Sequence, residues 1–221
     1  MIILGIDTTT KWTCAAVSEN GRVLAHAEQM LGKKQSEALP EVVDSVLKAA
    51  DKTLCGTDYI CTATGPGYYT GIRTGIAYAA ALAKAAGKKV IQVSTLETLA
   101  FDFFDKAGFC VPVLKARGES VYSAIYKVEK GETKIILKPC CIETSELANK
   151  IKELPEAILI GADVSLYEDL LSLPNSKTER EYAPDGLIAL IAERYIESAA
   201  APEKVRGNYL REPDIGPSKG K

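Results

Sequence analysis

The feature that most constrains the fold of this 221-residue chain is an order of strands that occurs twice. In the first half, a continuous apolar run is followed by two further strand-like segments, and Asn20-Gly21 between them is typical of a tight hairpin. The second half begins again with three such segments, and Lys130-Gly131 stands in the hairpin position, about half the chain length later. The predicted strands cover residues 2–6, 12–18, 22–28, 58–63 and 90–93, then 110–114, 120–128, 134–140 and 157–160.

Segments with helical periodicity alternate with the later strands of each half. The predicted helices cover residues 36–50, 70–86, a segment after 94, a segment from about 145, and then 164–171 and 185–199. Ser94 and Glu97 are predicted to form a capping box at the start of the third helix. The pattern predicts a duplicated βββαβα unit, the two-lobed α/β architecture of the actin-like ATPases (the ASKHA or ribonuclease H-like fold). We expect an N-terminal lobe at 1–107 and a C-terminal lobe at 108–221, with a mobile tail from about 212. Because three-stranded meanders are common, a chance repeat is the alternative.

The charge and residue counts exclude several classes of function. Lys and Arg number 27 against 29 Asp and Glu, so the chain lacks the basic excess of proteins that bind nucleic acid unaided. His26 is the single histidine, which excludes a metal site built on two histidines of this chain. Six cysteines without a C-x-x-C pair are typical of thiols in a reducing compartment. The short apolar N-terminus lacks the basic start of a signal peptide, so we expect a cytoplasmic protein without a membrane segment.

Two motifs point to a bound ligand. Asp7-Thr8-Thr9-Thr10 ends the first strand and resembles a turn of the actin-like ATPases. In those proteins the turn presents N–H groups and hydroxyls to phosphate, and its Asp reaches a metal through water. A glycine-rich loop at 64–73 leads directly into a helix, whose N-terminus adds a partial positive charge. The alternative is that the Asp and Thr side chains satisfy a structural turn. The candidate nucleotide-binding residues are Asp7, Thr8, Thr9, Gly65, Gly67 and Thr70.

The helix predicted at 70–86 is apolar around its whole axis. Such a helix is expected to be buried on all sides, and in a chain of this size we expect another subunit to supply the second covering layer. Enclosure within its own fold is the alternative. Arg73 stands in the first turn, where the helix dipole disfavours a cation, so we expect a carboxylate or phosphate partner for it.

Five motifs, in the right order and spread over nearly the whole chain, resemble the bacterial TsaB family, also called YeaZ. They lie at residues 3–9, 65–77, 93–100, 116–122 and 209–211. The Gly-Pro-Gly-Tyr-Tyr-Thr-Gly-Ile-Arg sequence within the second motif is highly specific for this family and its relatives. The resemblance implies an actin-like fold of two lobes. It also implies a role in making threonylcarbamoyladenosine, the t6A modification beside the anticodon of tRNAs that read codons starting with A.

The resemblance also implies partners. TsaB proteins are the non-catalytic partners of TsaD, a larger relative that transfers the threonylcarbamoyl group to tRNA, and the ATPase TsaE completes the bacterial complex. The chain is therefore expected to form a heterodimer with TsaD, to pair with itself when TsaD is absent, and to meet tRNA only through the complex. We expect the contact on the first two helices, where Val43→Glu would break it. The expected contact residues are Leu39, Val42, Val43, Val46, Ile72, Arg73, Ile76 and Ala80.

The catalytic relative provides a test at individual residues. TsaD carries two metal-binding histidines in a Val-Asn-His-Leu-Glu-x-His context, which matches residues 93–99 here. Thr95 and Leu99 stand at the two histidine positions, and neither side chain replaces an imidazole as a ligand. The resemblance therefore implies a pseudoenzyme with no catalytic residue, no metal and no required cofactor, and with at most weak binding of ATP or ADP. Tyr68, where many relatives have Ser, and Lys115, where many have Asp, further disfavour a nucleotide or metal in the cleft.

Two other functions are left open. An autonomous actin-like ATPase or small-molecule kinase is favoured by the Asp-Thr-Thr turn and the glycine-rich loop, although Gly161-Ala162-Asp163 is the nearest, weak adenosine motif in the second half. A metallopeptidase, suggested by the older glycoprotease-like classification of the relatives, is disfavoured by the single histidine.

Overall fold

The chain folds into two lobes, each built on a five-stranded mixed sheet. The computed structural model describes residues 1–106, 108–129, 132–161, 164–174, 176–178 and 186–211. The first sheet contains β1 Ile2–Asp7, β2 Trp12–Glu19, β3 Arg22–Met30, β4 Tyr59–Ala63 and β5 Lys89–Val93. The second contains β6 Gly108–Lys115, β7 Ser120–Glu129, β8 Glu132–Glu143, β9 Ala157–Ile160 and β10 Ser176–Thr178. The orders β3-β2-β1-β4-β5 and β8-β7-β6-β9-β10 are equivalent, so the predicted repeat is confirmed.

The first hairpin forms because residues 20 and 21 accept a left-handed backbone. Asn20 and Gly21 have φ angles of 50° and 77°, as a type I′ turn requires at both central positions. The equivalent turn at Lys130-Gly131 lies outside the described residues, although the strands on either side of it, β7 and β8, are paired.

The short strand β10 completes the second sheet and is absent from the predicted set. It has three residues and pairs in parallel with β9. Three residues are too few for a periodicity of two to be visible in a sequence. With β10, each half has three antiparallel strands followed by two parallel strands, and the second lobe gains the fifth strand that the prediction lacked.

Helices cover both faces of the first sheet. The α-helices in the described parts of the chain are α1 Gln35–Ala49, α2 Tyr69–Ala86, α3 Thr95–Ala100, α4 Thr144–Lys152, α5 Glu168–Leu171 and α6 Leu187–Ile191. Leu39 and Val46 of α1 and Ala79 of α2 belong to one buried cluster with β1 and β2. On the opposite face, Ile188 and Ile191 of α6 pack with residues of β1, β4 and β5.

Two helical segments of the second half are each divided between a short α-helix and a 3₁₀ helix. The segment expected at 164–171 is a 3₁₀ turn, Val164–Leu166, followed by the four-residue α5. The segment expected at 185–199 contains α6 and then a 3₁₀ helix, Ala192–Ser198, while its predicted start lies outside the described residues. No helix in the described parts of the chain combines the length and apolar character needed to cross a bilayer.

The last described segment of the chain returns to the first sheet. A Cβ added to Gly5 would lie 2.8 Å from the backbone of Ala189, so β1 and α6 are in close backbone contact. Val90 and Ala200 then form an antiparallel bridge along the edge of β5. A division at residue 107 thus assigns to the second lobe a segment that lies against the first sheet. Residue 107 itself and the predicted tail from 212 lie outside the described residues.

The helix α3 connects the two lobes through apolar contacts. Leu96 and Leu99 of α3 belong to a buried cluster with Leu114 of β6 and Tyr126 of β7. The N–H of Thr95, at the start of α3, donates to the carbonyl oxygen of Gly65, so the loop before α2 lies beside this contact between the lobes.

Candidate functional site

The glycine-rich loop between β4 and α2 lies against the end of β1. A Cβ added to Gly67 would be 2.1 Å from the carbonyl oxygen of Thr9, and one added to Gly71 would be 1.9 Å from that of Thr8. Both glycines therefore permit a contact between backbones that any side chain would prevent. The sequence predicted a close approach to a ligand or partner, and the structure shows a close approach to the chain's own Asp-Thr-Thr turn.

The turn after β1 satisfies its polar groups internally. Oδ1 of Asp7 accepts hydrogen bonds from the N–H of Thr9 at 2.8 Å and from its hydroxyl at 2.6 Å. The Thr8 hydroxyl donates to the carbonyl oxygen of Gly71 at 2.7 Å. The N–H of Tyr68 donates to the carbonyl oxygen of Thr9, also at 2.7 Å. Burial raises the pKa of Asp7, and the two bonds from Thr9 oppose that effect.

These contacts show where the residues of the predicted nucleotide site lie, and nucleotide binding itself stays a prediction. Four of its six residues, Asp7, Thr8, Thr9 and Gly67, belong to the closed contact between turn and loop, and both donors of Thr9 bond within the chain. Gly65 is buried beside Asn208, whose carbonyl oxygen would lie 2.7 Å from an added Cβ. Thr70 is exposed and lines a groove of about 470 Å³ with Gln35 and Ser36.

Thr95, at one of the two histidine positions of the catalytic relative, joins the same network. Its hydroxyl donates to the hydroxyl of Thr9 at 2.9 Å, and its N–H donates to the carbonyl oxygen of Gly65 at 3.0 Å. Leu99, at the other position, is 2% exposed and packs between the lobes. Within the described part of the chain, no group of three His, Cys, Asp or Glu residues is placed to hold a metal ion.

The capping box predicted at the start of α3 is wrong. The helix begins after Ser94 as expected, but the buried Ser94 hydroxyl has no hydrogen-bond partner among the described residues. Glu97 instead accepts a hydrogen bond from the hydroxyl of Tyr195, close to Arg194. Burial raises the pKa of Glu97, and the Tyr195 bond and the Arg194 charge oppose that effect. Glu97 therefore links α3 by a hydrogen bond to the segment after α6.

Five of the eight residues predicted to contact a partner lie in the core. They are Leu39, Val42, Val43, Val46 and Ile72, none more than 2% exposed. The apolar stripe of a helix identifies the face that avoids water, and the first sheet covers that face here. Arg73 is exposed, and Ile76 and Ala80 are half-buried, so these three stay at the surface.

The outward side of α2 is lined by small residues. The buried residues of this 18-residue helix are Gly71, Ile72, Gly75, Ala79 and Ala83. Arg73, Ala77, Ala81 and Ala85 are exposed at four-residue spacing on one side of the helix, and together they form what we term the outer face of α2. Among the described residues nothing encloses this face, so the alternative of a helix sandwiched within its own fold is wrong.

A cluster of exposed aromatic residues at the start of the outer face was not predicted. Tyr68, Tyr69 and Tyr209 are 41%, 46% and 42% exposed. The rings of Tyr69 and Tyr209 have centroids 5.4 Å apart, and the Arg73 guanidinium lies 5.4 Å from the centroid of Tyr69. Within the described residues, Arg73 therefore contacts a tyrosine ring and pairs with no carboxylate, and the alternative of a phosphate partner stays a prediction. Two adjacent tyrosines in a glycine-rich loop were the available signal, whereas Tyr209 comes from the far end of the chain.

Two equivalent mixed sheets, with a turn and a loop meeting at the ends of β1 and β4, define a protein of the actin-like ATPase fold class. A family model described as TsaD, tRNA N6-adenosine threonylcarbamoyltransferase, matches residues 29–193. Within this group of related sequences, the chain belongs to the TsaB family, also called YeaZ.

Individual relatives agree with this assignment. A Bacillus subtilis (strain 168) protein, tRNA threonylcarbamoyladenosine biosynthesis protein TsaB, is 30% identical over 172 residues, 77% of this chain and 75% of that protein. The Escherichia coli (strain K12) protein of the same name is 35% identical over 147 residues, 63% of each chain. A solved Pseudomonas aeruginosa structure, described as similar to peptidase YEAZ, has a TM-score of 0.80 at 23% identity. It covers 95% of this chain and 99% of its own, and this likeness concerns the fold.

Proposed function

We propose that this chain is the non-catalytic subunit that the transferase TsaD requires to form t6A on tRNA. Membership of the TsaB family supports a role in tRNA threonylcarbamoyladenosine biosynthesis. Thr95 and Leu99, at the positions of the histidines of TsaD, support a role without transfer chemistry. The observation that carries the proposal is the exposed outer face of α2, on which three alanines follow Arg73 and which no described residue encloses.

The outer face has the composition of a surface that receives another protein. Alanine loses no side-chain entropy on burial, and its small volume lets a partner helix approach closely. Arg and Tyr are enriched among residues that dominate binding energy, and Arg73 and Tyr69 lie in contact at one end of the face. The neighbouring helix α1 exposes Glu37 and Glu41, which favours a partner with Lys or Arg opposite them, whereas Asp44 already pairs with Lys48 at 2.6 Å.

The remaining components follow from the same proposal. TsaD carries out the transfer and meets the tRNA, and TsaE completes the complex. With 27 basic and 29 acidic residues, this chain suits a cytoplasmic subunit that does not bind tRNA by itself. When TsaD is absent, we propose that the outer face pairs with a second copy. The chain requires no cofactor under this proposal, and ATP or ADP binds it weakly at most.

An autonomous ATPase or kinase has less support, because Thr9 gives both of its donors to Asp7.

Ala77→Glu tests the proposed contact. Ala77 is exposed, so a glutamate there is compatible with the fold and places a charge within the apolar outer face. We expect this variant to bind cognate TsaD at least about tenfold more weakly in isothermal titration calorimetry, with an unchanged melting temperature. Binding equal to that of the wild type would reject the outer face as the contact.

Asn149→Glu is the matched control, because Asn149 is an exposed helical residue in the second lobe. It should bind TsaD like the wild type, and equal weakening by both variants would show that the effect is not local. Val43→Glu is unsuitable for this purpose. Val43 is 2% exposed in the core, so a glutamate there would disrupt folding whatever surface the partner uses.

A further inference from the structure

Thr9 connects three elements that are distant from one another in the sequence. Its N–H and hydroxyl donate to Asp7 at the end of β1, and its hydroxyl accepts from Thr95 at the start of α3. Its carbonyl oxygen accepts from Tyr68, the residue directly before α2. Thr9 itself is 0% exposed. One buried residue therefore joins the end of a central strand to the starts of two helices.

The hydrogen bonds among these side chains are donated in one direction, from Thr95 to Thr9 and from Thr9 to Asp7. A hydroxyl donates a single hydrogen, and Thr9 gives its hydrogen to Asp7 at 2.6 Å. Toward Thr95 it is therefore an acceptor, and Thr95 is the donor at 2.9 Å. The Asp7 carboxylate sets this order, because an ionised carboxylate only accepts. Removing the Thr95 hydroxyl leaves Thr9 with an unsatisfied acceptor in a buried place and leaves the two Asp7 bonds intact.

The start of α2 lies against the same turn. The Thr8 hydroxyl donates to the carbonyl oxygen of Gly71, and no side chain separates the backbone at residues 67 and 71 from that at 8 and 9. Because this contact is close-packed, a shift of Thr9 displaces Tyr68 and the first turn of α2. The outer face begins directly after that turn, at Arg73.

We propose that the hydroxyl chain from Thr95 through Thr9 to Asp7 is a positioning network for the outer face of α2. This inference rests on the proposed function. Thr95 occupies a position at which the catalytic relative holds a metal-binding histidine, and here its hydroxyl holds the turn against which α2 starts. The network presents Arg73 and Ala77 to TsaD in a fixed place, so that binding does not have to order the loop.

Thr95→Val tests the network, because valine has a similar shape and lacks the hydroxyl. Thr98→Val is the matched control. Thr98 is also on α3, is also 1% exposed, and also donates at 2.9 Å, but to the carbonyl oxygen of Ser94. Thr95→Ser retains the hydroxyl and serves as the rescue variant. Amide hydrogen exchange on the isolated chain reports on the Tyr68 N–H, and calorimetry reports on TsaD binding.

We expect Thr95→Val to raise the exchange rate of the Tyr68 amide about tenfold and to weaken TsaD binding about fivefold, the range for one lost buried hydrogen bond. Thr95→Ser and Thr98→Val should stay within about twofold of the wild type in both measurements. The proposal is overturned if Thr95→Val exchanges like the wild type. It is also overturned if Thr98→Val has the same effect, or if exchange rises while binding is unchanged.

A wild-type chain that does not bind TsaD is a separate result. It would reject the proposed function and, with it, the role of the network toward a partner. The exchange rates of the two valine variants would still decide whether Thr95 holds the loop in place.

Discussion

Asp7 places a carboxyl group in a buried position at the end of β1, where it accepts two hydrogen bonds from Thr9. Burial raises its pKa above the ordinary value of 3.8, and the bonds from Thr9 reduce that rise without cancelling it. The folded protein therefore holds this proton more tightly than the unfolded chain. The contribution of Asp7 to stability is highest below pH 3.8 and falls as the pH rises through the raised folded-state pKa.

Asp7→Asn separates the charge from the hydrogen bonds. The asparagine Oδ1 accepts the same two bonds from Thr9 and has no charge to remove from water. We expect the free energy of unfolding of the variant, relative to the wild type, to increase between about pH 3 and pH 7. Urea unfolding at a series of pH values measures this difference. A difference that is constant over that range would contradict the raised pKa of Asp7.

At the scale of elements, the start of α2 packs against the turn after β1 through a direct contact between the two backbones. Gly71→Ala would place a methyl group 1.9 Å from the carbonyl oxygen of Thr8, so the helix would have to move. We expect the free energy of unfolding to fall by about 3 kcal/mol, although alanine is the better helix former. Urea unfolding of the variant and the wild type at neutral pH measures the change.

Gly87→Ala is the control for this prediction. Gly87 ends α2 with a φ of 68°, and no heavy atom lies within 4 Å of an added Cβ, so the variant has conformational strain of about 1 to 2 kcal/mol and no collision. If Gly71→Ala were no more destabilising than Gly87→Ala, the close backbone contact between Gly71 and Thr8 would be contradicted.

Hydrophobic periodicity predicted the elements well and their surroundings less well. β1 and β9 were predictable because strands buried on both faces are continuous apolar runs. The same kind of pattern placed Val43 and Val46 at a partner surface, yet both are in the core. A stripe shows which side of a helix avoids water, and it does not show whether the chain's own sheet or another protein covers that side.

Contacts between distant segments were the part of the site that sequence reasoning missed. The loop glycines predicted a close approach, but nothing local indicated that the Thr9 carbonyl would be what Gly67 approaches. Tyr209 reaches Tyr69 because Asn208 donates to the carbonyl oxygen of Thr64 at 2.7 Å, a bond that only the folded chain brings together.

At the scale of the whole molecule, the two lobes share a strand order, and the proposed partner surface lies on the first lobe. In the first lobe, the turn after β1 is closed by the chain's own loop, and α2 offers an uncovered outer face. The segment from α6 to Ala200 covers the other face and the β5 edge of the same sheet.

The central claim, that TsaD requires this chain, is tested most directly by t6A formation in a reconstituted system. Cognate TsaD, TsaE, threonylcarbamoyl adenylate and tRNA would be combined without this chain, with the wild type, or with one of the two surface variants. We expect modification with the wild type and with Asn149→Glu, none above background without the chain, and at least about tenfold less with Ala77→Glu. Equal modification in the presence and absence of the chain would contradict the account.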